Sequence, residues 1–306
     1  MMLTSFRHVL RPASCNRWNT GSLSAIGSFV MNTAPQVFDR AIYLDRQSRA
    51  SGDALGLLDA RVAEELLDRL LLINRYFEQV LIIAPRTDDI FSRLQQTKKF
   101  GRVIAQQSSA SDDLKLKPNA YNAIISLLDL HSVNDVPGYM AQVANALQPD
   151  GLAMFAFFAG ESLRELREAW LVAEQQITGG ASPRVAPMID LREAGGLLQR
   201  AGLALPVADV DRVTLRYSDA MSLMREIKAL GFANCLEGRS RTMTTPRLLF
   251  QAATTYGADK DGRIRATIEI AWATAWKPHE SQQQPLKPGS AKARLADALK
   301  VGEATL

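Results

Sequence analysis

The chain has 306 residues, 47% of them hydrophobic and 22% charged, a composition that suits one large domain with a subdomain or two small domains. No run approaches the ~20 apolar residues that a membrane-spanning helix needs, and the two cysteines, Cys15 and Cys235, form no CxxC, which argues against a disulfide framework or zinc site and fits a reducing compartment. The net charge of +4 is concentrated in Arg7, Arg11 and Arg17, before the first acidic residue at Asp39, so the remainder is near neutral and no nucleic-acid surface is expected.

Residues 1–35 are rich in Arg, Ser, Thr and Asn and contain no acid. They read either as an organelle-targeting peptide, which would place the protein in the mitochondrial matrix, or as an upstream extension of a chain that begins at Met31, which would place it in a bacterial cytoplasm. The Met31 start is the expected one, and either way the segment stands outside the fold. From Ala54 to Arg75, Leu55, Leu58, Val62, Leu66, Leu70 and Ile73 follow helical spacing. A buried strand at 80–84, a helix at 89–97 and a short strand at 102–106 follow, and then a polar loop at 112–119.

The near-continuous apolar run 123–128 predicts a strand buried on both faces. A helix opens at Pro137, 149–151 is a turn, and 152–158 is another apolar strand. This alternation predicts a doubly wound α/β core with a parallel sheet over 36–160.

The second half, 161–281, is expected to integrate with that core. It reads as helices at 161–177, 191–201, 219–230 and 246–256, with strands at 213–217 and 264–276. Asp219 is a capping residue, and Gly179, Gly202 and Gly231 are stops. Asp259–Gly262 is a hairpin turn rather than a calcium loop, because no ligand Glu follows at the right offset. Residues 282–306 are a polar linker and a short tail helix.

Three polar residues are candidates for catalysis. His131 and Asn134 follow the buried strand 123–128, and the carboxyl ends of parallel strands are where ligands bind in open α/β sheets. They could equally organise the loop before the next helix, for which Asp135 is the expected cap. His279, after the last strand, could approach the same cleft or sit in a strand-end turn. No metal site is expected. Where the first buried strand ends, a phosphate-cradling loop would need glycines, yet the chain has Pro85, which lacks an N–H, and Arg86, which adds bulk and charge.

From about Val37 to Leu299 the sequence resembles a methyltransferase-like family of respiratory complex I assembly factors on the class I S-adenosylmethionine-dependent fold. The biotin-pathway carrier-protein methyltransferases are more distant relatives. The stretches that carry the resemblance are Val37–Arg40, "LHSVND" at 130–135, "LQPDG" at 147–151, "GGASPRVAP" at 179–187, "LLQRAGLALPVADVD" at 197–211 and "WKPHESQQQPLKPGSA" at 276–291.

The resemblance implies a Rossmann-like class I fold, S-adenosylmethionine as cofactor and a protein partner or substrate in the peripheral arm of complex I. One family member is an arginine hydroxylase. In the family, an acidic residue and three spaced glycines close the first strand. Those positions fall here on Ile82, Ala84, Arg86 and Asp88, and the ribose-binding acid falls on Gln106.

Asp112 takes the adenine-side acidic position, and Ser132 stands where the family has Trp. After Gln106 the chain is short of the family pattern by part of one strand–helix unit. These departures predict a degenerate site without micromolar cofactor affinity, hence an assembly factor that is a pseudoenzyme. The alternative is an active arginine hydroxylase or methyltransferase acting on a protein.

Overall fold

The computed structural model describes residues 35–51, 53–86 and 88–283. The expected leader and tail helix lie outside the described residues, as do the side chains of 53–56, 88 and 89. In chain order the elements are α1 (Arg40–Ser48), α2 (Asp53–Leu72), β1 (Phe77–Ala84), α3 (Asp88–Gln95), β2 (Phe100–Gln107) and β3 (Tyr121–Leu127). After a 3-10 turn at Leu130–Ser132 come α4 (Val136–Ala146), β4 (Leu147–Phe158), α5 (Arg164–Thr178), α6 (Leu191–Arg200), β5 (Ala204–Tyr217), α7 (Ala220–Ala229), α8 (Pro246–Thr255) and β6 (Ile264–Trp276).

These strands make one six-stranded sheet in the order β2-β1-β3-β4-β6-β5. The first four run parallel, and β6 and β5 add an antiparallel pair beside β4. The alternation of side chains along β1 feeds two cores. Val80, Ile82 and Ala84 pack among Leu66 and Leu70 of α2 and Leu94 of α3. Leu81 and Ile83 face the other way, among Met140 and Val143 of α4 and Leu198 of α6. Each fully buried Leu or Ile contributes about 1.5–3 kcal/mol, which explains why the apolar runs in β1, β3 and β4 are unbroken. The parallel strands and the order that reverses at β1 agree with the Rossmann-like architecture that the resemblance implies.

The expected shortfall after Gln106 has a clear form. β2 is an edge strand paired only with β1, and the chain passes through 108–120 directly to β3 with no helix or strand between. β1 therefore sits between β2 and β3, and the sheet order reverses there.

Some boundaries move for local reasons. The turn at 149–151 lies inside β4 as a bulge, with register stepping from Tyr121↔Leu147 to Ala123↔Leu152 and Asp150 at φ 61°. The Asp150 N–H and the Gly151 carbonyl bond to Lys277 across the sheet, so the turn is absorbed into pairing. α5 starts at Arg164 rather than Glu161, because Ser162 and Leu163 donate to the Glu269 and Thr267 carbonyls of β6.

β5 extends back to Ala204, well before the expected 213. Its Asp209 and Asp211 obscure strand character in the sequence, but they pair with Arg69 and Arg61 of α2. The antiparallel β5/β6 pair is connected through α7 and α8, while Asp259–Gly262 forms a tight turn with Asp259 N–H bonded to the Arg263 carbonyl at 2.8 Å. Among the described residues, no helix is long and apolar enough to cross a membrane.

Candidate functional site

The crevice at the carboxyl ends of β1 and β3, where the strand order reverses, is the place a ligand is expected. At the end of β1, Ala84 is buried and its carbonyl accepts from Ser108 N–H at 3.0 Å. The Pro85 carbonyl accepts from Gln107 Nε2 at 3.1 Å. Arg86 donates to Asp59 through Nε at 3.2 Å and Nη2 at 2.9 Å, and through Nη1 to the Gln47 side chain. The turn is thereby fastened to α1 and α2. Asp88 begins α3, and its side chain lies outside the described residues.

The other cofactor-position candidates are likewise committed to the fold. Gln106 donates from Nε2 to the Leu114 carbonyl at 3.1 Å. The Asp112 carboxylate accepts from the backbone N–H groups of Asn134 and Asp135 at 3.1 and 3.0 Å. Asp135 in turn caps α4 by accepting from Gly138 N–H at 2.9 Å, as expected of a residue ahead of a helix with proline in its first turn.

What fills the crevice is Arg40, the first residue of α1, which is 4% exposed. Its Nη2 lies 3.1 and 3.2 Å from the two oxygens of Asp129, and its Nε lies 3.3 Å from Asp112. Nη1 donates to Ser132 Oγ at 2.9 Å, while Nε and Nη2 reach the Ser109 carbonyl. Asp129 is fully buried just past β3, where Leu128 takes the left-handed φ of 50°. Burial raises the Asp129 pKa, opposed by the charge of Arg40 and by hydrogen bonds. Taking a carboxylate and a guanidinium out of water together is tolerable because Arg40 and Asp129 bond each other and their polar neighbours, although Asp112 Oδ1 and Ser108 Oγ make no hydrogen bond among the described residues.

The rest of the segment is fastened in the same way. Asn134 Oδ1 accepts from the N–H groups of Val37 and Phe38 at 2.8 Å each, and its Nδ2 donates to the Phe38 carbonyl. Tyr43 Oη donates to the Leu128 carbonyl at 2.7 Å. Arg46 reaches the carbonyls of Ala233 and Asn234.

His131 is 7% exposed and stands against Tyr43, Phe158 and Phe232, with ring centroids 5.8, 4.9 and 5.8 Å away. Burial, helped by the charge of Arg40, lowers its pKa to about 3, so the imidazole is neutral at physiological pH. Its Nε2 is 3.5 Å from Tyr43 Oη, and its Nδ1 has no hydrogen-bond partner among the described residues. Asn134 is thus engaged with the 36–38 segment and His131 with an aromatic cluster.

His279 is at the other edge of the molecule. β6 runs antiparallel, so its end at Trp276 lies opposite Leu152 near the start of β4. There His279 Nδ1 meets Ser281 Oγ at 2.8 Å in an exposed turn. The two histidines therefore belong to different ends of the sheet, and the strand-end reading describes His279.

Beside the crevice is a cavity of about 620 Å³. Its walls are Phe158 at the end of β4, Leu166 and Trp170 of α5, Leu223 and Ile227 of α7, and Val213, Leu215, Ile268 and Ile270 of the β5/β6 pair. Arg184, Val185 and Ala186, from the stretch at 179–187, line one side. Arg184 bonds Glu174 at 2.7 Å and lies over the Trp170 ring at 4.7 Å, which brings Val185 and Ala186 onto the cavity.

Against this geometry stand the relatives. Over 219 residues the chain is 34% identical to the arginine-hydroxylase NDUFAF5 of Danio rerio, covering 70% of this chain and 68% of that protein. The chain belongs to the NDUFAF5 methyltransferase-like family. The Homo sapiens arginine-hydroxylase NDUFAF5 is 34% identical over 61% of this chain, which spans just over half of it, 55%. The malonyl-[acyl-carrier protein] O-methyltransferase of Laribacter hongkongensis is 30% identical over 78% of this chain and 77% of its own length. Among solved structures, the YcgJ protein of Bacillus subtilis overlays with a TM-score of 0.41 at 15% identity, covering 74% of this chain and 98% of that one. No family model matches the chain.

Sequence reasoning did not single out Arg40, Tyr43, Asp59 or Asp129 as site residues. Arg40 sat in a family stretch, and Asp129 preceded a motif, but nothing local signals a contact spanning 89 residues.

Proposed function

We propose that this chain is a methyltransferase-like assembly factor that holds a protein partner in the peripheral arm of complex I and does not use S-adenosylmethionine. The observation that carries this reading is Arg40 in the switch-point crevice. A cofactor there would need backbone N–H groups presented by small residues after β1 and free carboxylates for its hydroxyl and amino groups. The residues present do not fit. Pro85 offers no N–H, Arg86 is tied to Asp59 and Gln47, Gln106 is engaged with Leu114, and Asp112 and Asp129 are both paired with Arg40.

Family membership supports a protein partner. Mitochondrial relatives and relatives from bacteria support the two locations expected, the matrix and the bacterial cytoplasm.

Calorimetric titration of the purified chain with S-adenosylmethionine tests the first half of the proposal. A flat isotherm is expected at micromolar protein, and a clear micromolar binding curve would sink it in favour of an active arginine hydroxylase or methyltransferase. Affinity capture with recombinant peripheral-arm subunits tests the second half, where the absence of enrichment for any subunit removes the assembly-factor reading.

A further inference from the structure

The 620 Å³ cavity falls within the range of small-molecule sites, roughly 300–1,000 Å³. Its lining is aromatic and aliphatic over most of its extent, and the charged groups on it are distributed unevenly. Three cations, Arg61, Arg184 and Lys228, line it against one carboxylate, Glu226. Glu226 accepts from Tyr217 Oη at 2.8 Å, Arg184 is satisfied by Glu174 and Thr244, and Arg61 is satisfied by Asp211. Lys228 forms no ion pair with any described residue. Leu57, Arg61 and Lys228 line the cavity and are also exposed, so they mark its mouth. His131, the one imidazole on the wall, is uncharged.

With Arg61 paired to Asp211 and Arg184 to Glu174, Lys228 is the cation at the mouth left to meet an anionic head group. An aliphatic chain gains with each methylene it buries against the apolar lining. We propose that this cavity binds an aliphatic carboxylate, its chain seated between α5, α7 and the β5/β6 face and its head group held at the mouth by Lys228. The cavity shares Tyr43, His131 and Ser132 with the rim of the switch-point crevice, but Arg40, Asp112 and Asp129 do not line it, so the proposal stands whether or not the complex I reading does.

The test is calorimetric titration of the full chain with dodecanoate and with dodecanol, its neutral counterpart. Saturable one-to-one binding of dodecanoate is expected, tighter than dodecanol. Lys228→Glu, a surface change, should weaken dodecanoate by about fivefold, the range of an exposed ion pair, and leave dodecanol unchanged. Ile227→Trp, checked for folding by circular dichroism, should abolish both.

No saturable binding of dodecanoate overturns the proposal, as does binding that survives Ile227→Trp. Equal binding of acid and alcohol, unaffected by Lys228→Glu, overturns the carboxylate assignment. Displacement of neither ligand by a partner subunit that binds the chain places the partner on another surface and supports the cavity as a small-molecule site.

Discussion

The Arg40 guanidinium meets the Asp129 carboxylate through one nitrogen at 3.1 and 3.2 Å, and both side chains are sealed from solvent. The contact joins the first helix of the fold to the strand end at which a family cofactor would sit. Buried pairs of this kind are worth little against an apolar replacement of both partners, but removing one strands a charge. Arg40→Met should destabilise the chain by about 3–5 kcal/mol in urea denaturation. Adding Asp129→Leu should recover part of that loss. A double variant as unstable as the two single effects added together would show the pair to be uncoupled.

Rebuilding the turn alone should not create a cofactor site. Pro85→Gly with Arg86→Gly restores conformational freedom after β1 but leaves Arg40 on Asp112 and Asp129. The double-glycine variant is expected to lose about 1–2 kcal/mol through the partly buried Arg86–Asp59 pair and still give a flat S-adenosylmethionine isotherm. Micromolar binding by this variant would show that the turn, and not Arg40, was the barrier.

Gly231 is a second fastening for α1. It sits at φ 77°, and a Cβ there would lie 2.8 Å from the Arg46 carbonyl oxygen. Gly231→Ala should cost about 2 kcal/mol, lowering Tm by about 4–8 °C for a domain of this size. Gly180→Ala, with nothing within 4 Å of the added carbon, should leave Tm nearly unchanged. Similar Tm values for the two would contradict the close approach.

The buried neutral His131 makes stability depend on pH in a defined window. Its pKa is about 3 in the folded chain and about 6.5 when unfolded. Between those values only the unfolded chain binds the proton, so stability rises with pH. The contribution is fully present above about pH 6.5 and is lost as pH falls toward 3. His131→Phe keeps an aromatic ring beside Phe158 and Phe232 and removes this titration. From pH 7.5 to 4.5 the wild type should lose up to about 2–3 kcal/mol more than the variant in urea denaturation. Parallel losses would mean that the imidazole protonates in place.

The sequence made some parts of this molecule legible and hid others. The strands β1, β3 and β4 were readable because double-sided burial forces unbroken apolar runs. The helix stops were readable because Gly179, Gly202 and Gly231 take left-handed φ values. β5 was half hidden, since Asp209 and Asp211 look like loop residues until Arg69 and Arg61 of α2 stand opposite them. The site was less legible still. Asp112 and Gln106 could be placed by counting along the family pattern, but the partners that occupy them come from elsewhere in the chain.

By itself, then, the sequence determined the sheet's composition, the eroded turn at Ala84–Asp88 and the family, because periodicity and motifs are local properties. Tertiary structure alone decided that the crevice is filled by Arg40, that His131 and His279 lie at opposite ends of the sheet, and that Arg184, Val185 and Ala186 line an apolar cavity beside the crevice. Those are relationships between residues distant in sequence. They follow from strand direction and side-chain packing, which no local pattern records.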